Sequence, residues 1–310
     1  MIIVAGSINL DLVARVERLP SPGETVSGVA YTEAPGGKGA NQSLAAARAG
    51  AHTMMIGAVG KDANAQAATK LLRDGGVDLT CIESVEAATG VALILVDDTS
   101  GENQIAVVPG ANGHVKTTQL PANASALLLQ MEIPDEVTDG FVNEGIAAGI
   151  PVIFNPAPFR SGAAAMASKA DVTIANETEF DLLADAMDIA APDNADAIGP
   201  DRTRIMRGRA FVSQTGKTLI ITLGAAGALA LSPDEELQAV PPKIEAVDTV
   251  GAGDTFCGYF AAGYAQAKPL ADCMDMAVVA GALACLNEGA QPAIPTADKV
   301  TMARGKPATA

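Results

Sequence analysis

Short apolar runs alternate with helix-length segments along most of this chain, and that alternation restricts the folds open to it. Residues 1–5 read as a buried strand ending at Gly6. An Ala-rich helix over 41–49 follows, stopped at Gly50, and then comes the apolar run 54–59. Asp62 is placed to cap a helix running to about Asp74, closed by Gly75 and Gly76. The rhythm returns with apolar runs at 126–129, 152–154, 172–175 and 219–223, and with helices over 135–148 and 177–186. A hairpin-like stretch at 227–240 precedes two closing helices over 253–266 and 270–286. Such a pattern specifies an α/β protein whose mainly parallel sheet is covered on both faces.

Two segments break the rhythm. Residues 9–31 carry Pro20, Pro22 and Gly23 between short alternating runs. Residues 90–96 and 104–108 read as strands, and the intervening DDTSGEN suits a hairpin. Segments of about 9–34 and 89–108 are therefore expected to form a small β layer, either a flap over a ligand site or an added sheet edge. The 310 residues are expected to make one domain bearing that layer. Apart from Ala richness and the tail at 305–307, no repeat or low-complexity tract stands out.

Composition excludes some functions. With 49% apolar residues the chain can bury a large core. A net charge of −16 repels phosphate backbones and disfavours nucleic-acid binding. An anionic nucleotide would need a local device, such as backbone N–H groups at a helix start. Cys81, Cys257, Cys273 and Cys285 form no CxxC pair and are read as reduced core thiols. The start of the chain has no basic leader region, and the longest apolar run, 276–286, is too short to span a bilayer. A cytoplasmic protein without membrane partners is expected.

The sharpest motif is DTVGAGDTF at 248–256. Gly251 and Gly253 permit a tight turn and close approach of backbone to ligand. The apolar run after them starts a helix, so the N–H groups from Gly251 through Ala252 and Gly253 to Asp254 are placed to meet a phosphate. A carboxylate at Asp254 beside such a site suits the positioning and deprotonation of an attacking hydroxyl. A merely capped helix start is the plainer reading. No GxxxxGK[ST] occurs, so this is not a P-loop. A second motif, PGGKGANQ at 35–42, carries Lys38 as its one charge and Asn41 as both donor and acceptor. It is either part of a polyol site or a glycine turn into a helix. Asn9 and Asp11 alternate with Ile8 and Leu10, which puts the two polar residues on one strand face. Gly6 followed by Ser-Ile lacks GxGxxG, which disfavours a Rossmann-type oxidoreductase.

These pieces, with ANETE at 175–179, TLGAAGA at 222–228, TGVALILVDDTSGEN at 89–103 and EGAQPAIP at 288–295, resemble the PfkB carbohydrate kinases, and within them the ribokinase branch. The resemblance spans nearly the whole chain. It implies a three-layer α/β/α sandwich with a small β-sheet lid, and ATP-dependent phosphorylation of D-ribose at O5. Asp254 resembles the catalytic base, with Gly251, Ala252 and Gly253 as the anion hole. Asn9, Asp11, Gly37, Lys38, Asn41 and Glu132 match sugar-binding positions. Asn176 and Glu179 match a motif that orders phosphates and Mg²⁺ through water, although Asn followed three residues later by Glu also suits a capping box. Thr222, Gly224 and Gly227 match the nucleotide-binding strand and turn, or a bare hairpin start. Asp248, Val250, Ala284, Asn287, Gly289 and Ala293 match a K⁺ site built largely from carbonyls, where Ala293 replaces a frequent serine and brings no hydroxyl. The resemblance further implies a homodimer through the β lids. Kinases of the same family acting on a nucleoside, deoxyribose or another sugar share the phosphate machinery. With 3% aromatic residues the chain offers little for a base-binding wall. A non-catalytic sugar sensor would be expected to lose Asp254 or the GAG turn, and both are present.

Overall fold

The computed structural model describes residues 1–192, 195 and 199–304. The tail at 305–307 lies outside them. In chain order the strands are β1 (Ile2–Ala5), β2 (Asn9–Val16), β3 (Gly28–Gly36), β4 (Thr53–Gly60), β5 (Asp78–Val85), β6 (Gly90–Asp97), β7 (Asn103–Val108), β8 (Ala126–Leu129), β9 (Val152–Phe154), β10 (Val172–Asn176), β11 (Thr218–Thr222), β12 (Ala228–Leu231) and β13 (Glu236–Ala239). The helices are α1 (Lys38–Arg48), α2 (Ala63–Asp74), α3 (Asp135–Ala148), α4 (Ala163–Ala167), α5 (Glu177–Ala186), α6 (Pro200–Thr215), α7 (Ala252–Ala265), α8 (Leu270–Ala284), α9 (Ala290–Ala293) and α10 (Ala297–Arg304).

Nine strands form one sheet in the order β13-β12-β11-β10-β9-β8-β1-β4-β5. From β5 to β11 the pairs are parallel, and β12 and β13 add an antiparallel edge. Alternation along β1 shows how the layers are made. Ile2 and Val4 join the apolar cluster that holds α1, α7 and α8 residues, while Ile3 and Ala5 join the cluster of α3, α5 and α6 residues on the other face. A strand buried on both sides must be apolar throughout, which is why β1 and β8 read as unbroken runs. The expected three-layer α/β arrangement is therefore found.

Four strands form a separate sheet in the order β3-β2-β6-β7. β2 and β6 run parallel, and the β2–β3 and β6–β7 pairs are antiparallel, so 103–108 does return along 90–97 as a hairpin. Local capping explains several boundaries. Asp62 accepts a hydrogen bond from the Ala65 N–H at the start of α2. α1 begins at Lys38, three residues before the position read from composition, because Gly37 turns the chain at φ 88°. The strand β5 and the helices α4, α6 and α10 carried no periodic signal strong enough to single out.

One expectation is corrected. Cys257, Cys273 and Cys285 are buried, but Cys81 is exposed. It lies on β5, the edge strand of the large sheet, where one side has no neighbouring strand to cover it.

Candidate active site

A cleft of about 210 Å³ opens at the carboxyl ends of the parallel strands, lined by Lys38, Asn155, Ala157, Ile174, Ala175, Asn176, Glu179, Thr222, Gly251, Gly253, Asp254 and Cys257. Open α/β sheets place ligands at this edge because the loops and helix starts gather there. Two helix N-termini supply the central groups. α7 starts at Gly251, which has φ 77° and no side-chain cap. A Cβ there would lie 2.8 Å from the Ala290 Cα, so both the conformation and the space demand glycine. The first-turn amides of α7 have no intrahelical acceptor, which leaves Gly253 and Asp254 N–H for a ligand. The Ala252 N–H, expected to join them, instead donates to the Thr249 carbonyl at 3.3 Å.

Asp254, in the first turn of α7, is only 7% exposed. Its Oδ2 accepts from Asn41 Nδ2 and its Oδ1 from Gln42 Nε2, each at 2.9 Å. Both donors come from α1, whose own start carries Lys38. The Lys38 ammonium lines the cleft, and the carboxylates of Asp254, Glu132 and Glu179 hold its pKa above the usual lysine value although burial opposes this. Lys38 and the Asp254 carboxyl group thus face one space.

Glu132, matched to the sugar, is bonded to the start of α1. One of its oxygens accepts from Ser7 Oγ and from the Lys38 N–H at the N-terminus of α1; like Asn9, Asp11, Gly37 and Asn41, Glu132 does not line the cleft. Asn9 and Asp11 lie on β2 as expected. Asn9 Oδ1 accepts from Asn112 Nδ2 at 2.7 Å, and Asn112 Oδ1 accepts from the Ile8 N–H at 2.9 Å. Asp11 is pushed up to about 6 from 3.8, first by burial and then by Glu132 and Asp254. Gly37 packs against the backbone of Asn9 and Ser7.

Asn176 and Glu179 form a complete capping box: Glu179 N–H donates to Asn176 Oδ1 at 2.8 Å and Asn176 N–H donates to Glu179 Oε2 at 2.9 Å. Both also line the cleft, so the two readings of this motif coexist. Burial raises the Glu179 pKa, while Asn176 N–H and Lys38 oppose that and Asp254 adds to it. The box leaves Oε1 of Glu179 for a water. Thr222 lines the cleft at the end of β11. Gly224 and Gly227 do not line it. At Gly227 a Cβ would meet the Ala239 carbonyl oxygen at 2.0 Å, so the crossing of β11–β12 with β13 already requires glycine.

Of the positions matched to a monovalent cation, Asp248, Val250 and Gly289 meet. Asp248 accepts from Val250 N–H at 3.0 Å and from Gly289 N–H at 2.8 Å, and Asp248 N–H reaches the Cys285 carbonyl at 3.3 Å. Ala293 is buried in α9. Carbonyl oxygens of these loops are the hard donors such an ion takes. Among the described residues no group of three or more His, Cys, Asp or Glu forms a metal cluster, and no helix is long and apolar enough to cross a membrane.

Sequence reasoning missed Gln42, Gln130, Asn155 and Asn112, which are buried polar residues of the site. The adjacent pair Asn41-Gln42 was the one available signal; the others stand alone in apolar or loop sequence.

The chain is similar to known proteins along nearly its whole length. The ribokinase of Schizosaccharomyces pombe is 36% identical over 310 residues, covering 95% of each chain. The deoxyribokinase of Salmonella typhi is 32% identical and covers 96% of each. The structure of Arabidopsis thaliana ribokinase complexed with ribose and ATP superposes with a TM-score of 0.86 at 29% identity, covering 99% of each chain. Residues 1–297 match the pfkB family carbohydrate kinases, and the chain belongs to that family.

Proposed function

We propose that the cleft transfers the γ-phosphoryl group of ATP to O5 of D-ribose, giving ribose 5-phosphate and ADP. The observation that carries this reading is the ionisable Asp254, held on both oxygens beside the uncapped start of α7 and facing Lys38. Asp254 takes the proton of the attacking hydroxyl. The bond from O5 to the γ-phosphorus forms as the bond to the ADP oxygen breaks, and the proton stays on Asp254. Amides at Gly251, Gly253 and Asp254 face the charge that gathers on the phosphoryl oxygens. Preorganised donors of this kind are worth about 3–4 kcal/mol each. Ala252 contributes less than its neighbours, since its N–H is already engaged.

Asn9, Asp11, Gly37, Lys38, Asn41 and Glu132 are assigned to the sugar, and Glu132 is also bonded to Ser7 Oγ and the Lys38 N–H. Asn41 Oδ1 is buried without a partner, which suits an acceptor waiting for a hydroxyl. Asn176 and Thr222 are assigned to ATP, with Gly224 and Gly227 shaping the turn beside it. Asn176 and Glu179 would hold Mg²⁺ through water, and the ion when bound neutralises phosphate charge. Asp248, Val250, Ala284, Asn287 and Gly289 would hold K⁺ mainly by carbonyls, without a hydroxyl from Ala293. The ion would order the Gly251 turn without touching substrate.

The whole chain is read as one catalytic unit whose four-stranded sheet is the lid. Lid closure excludes water as a competing acceptor. Two copies pair through the lids, because Tyr31, Leu93, Ile105 and Val107 are apolar and exposed there. Use of ATP fits a cytoplasmic location. A second substrate, 2-deoxyribose, is favoured by the matched deoxyribokinase.

The test is ADP release from Mg·ATP over ribose, 2-deoxyribose, fructose and adenosine, with and without K⁺. Turnover is expected to be fastest on ribose and raised by K⁺. Turnover on deoxyribose alone would overturn the sugar assignment and keep the phosphate machinery. Silence on all four would overturn the sugar assignment in favour of a substrate outside the panel or a sugar sensor.

A further inference from the structure

Asp254 has a donor on each oxygen, and the two donors differ in kind. Asn41 keeps a free acceptor atom for a ligand. Gln42 is fully buried, lies behind the cleft wall and reaches no ligand. The orientation of its amide is dictated by its neighbours. The Ile174 carbonyl only accepts, so Asn155 must present Nδ2 to it, at 2.8 Å. That turns Asn155 Oδ1 toward Gln42 Nε2, at 3.1 Å. On the far side Gln130 Nε2 donates to Gln42 Oε1 at 2.7 Å. With Oε1 occupied by a donor and one N–H on Asn155, the second N–H of Gln42 must point at Asp254 Oδ1, at 2.9 Å. Gly6 leaves room for this chain of amides: a Cβ there would lie 2.1 Å from Gln130 Oε1.

We propose that Gln42, oriented by Gln130 and Asn155, is the positioning residue that holds the Asp254 carboxylate toward the cleft. The proposal rests on Asp254 being the base of the proposed reaction. Four strands or helices meet in this relay, since Gln42 is on α1, Gln130 follows β8, Asn155 follows β9 and Asp254 is on α7. Hydrogen bonds to a charged acceptor are roughly twice as strong as neutral ones, so the relay resists rotation of the carboxylate. It also explains why a polar chain occupies an otherwise apolar interior, where Gln130 Oε1 is left without a partner.

The substitution Gln42→Met keeps the bulk and removes the donor. With ribose and Mg·ATP it is expected to lower kcat about 30-fold, as misplacement of a reacting group does, while both KM values stay within about threefold. In the Asp254→Asn background the same change is expected to alter kcat by less than about twofold, because the group it positions is gone. Equal losses in the two backgrounds, or a lower melting temperature with unchanged kcat, would overturn the proposal. Gln130→Met is expected to show the same pattern more weakly, and it carries the test if Gln42→Met does not fold. Asp254→Asn with the parent kcat would remove the base assignment and this proposal together. A large Asp254→Asn loss with equal Gln42→Met penalties removes this proposal alone.

Discussion

Polar groups are dry at the carboxyl ends of the large sheet, and apolar groups are wet on the small one. Around Asp254, the side chains of Gln42, Gln130 and Asn155 are buried and bonded to one another. On the four-stranded sheet Tyr31 is 60% exposed, Ile105 57% and Val107 51%. Burying polar groups costs free energy unless they are bonded, and these bonds organise the site before substrate arrives, with Asn41 Oδ1 and Gln130 Oε1 left without a partner. Exposing apolar groups is a free-energy cost that another surface removes when it covers them. The first region is built from the hydrogen bonds of one chain. The second reads as half of something, which is why it is assigned to closure and pairing.

The widest gap between the regions should appear on removing the base. Asp254→Asn is expected to cut kcat by about 10²-fold or more while ribose and ATP binding, followed by calorimetry, stay nearly intact. Unchanged turnover would mean that the organised region is organised for something else. A smaller effect is expected at the sheet. Ile105→Glu places a charge beside Val107 on one face of the small sheet, opposite the face of Tyr31 and Leu93, and should weaken self-association by about tenfold to a hundredfold, read by sedimentation, with the fold intact. Association unaffected by this change would separate the apolar face from pairing.

The smallest effect concerns Asp11, which stands between the two regions on β2. Its folded pKa of about 6 lies above the ordinary 3.8, because of burial and then of Glu132 and Asp254. The folded state therefore favours the protonated acid, and that contribution to stability is full below about pH 4 and is lost as pH rises through about 6. Asp11→Asn should raise the melting temperature at pH 8 by roughly 2 °C, with the gain vanishing toward pH 4, while weakening sugar binding. A gain that does not depend on pH would show that charge burial is not its cause.

Much of the large sheet was legible as sequence. The strands β8 and β9 and the helices α3 and α5 lie at the positions that apolar runs and capping residues indicated. Those signals are local, since a strand buried on both faces is apolar along its length and a helix announces itself by its ends. β5 was not legible because its exposed and half-buried residues follow no clean alternation. Cys81 was misread for the same reason. In the site, Asp254, Lys38, Asn176, Glu179, Thr222, Gly251 and Gly253 were named and do converge on one cleft. Glu132 was named for the sugar, and its bonds to Ser7 and to the start of α1 were not legible.

The sequence by itself determined most of the alternation of strands and helices, the glycine turn before Asp254 and the family to which these motifs belong, because each depends on residues adjacent in the chain. Tertiary structure alone decided which partners Asp254 has. Gln42 is 212 positions away along the chain, Asn155 lies 113 from Gln42, and Gln130 lies 88 from it. Their amides are oriented by a carbonyl of β10 that no local pattern reveals. A hydrogen bond depends on distance and direction in space, so residues far apart in sequence become one unit only when the sheet has brought its strand ends together.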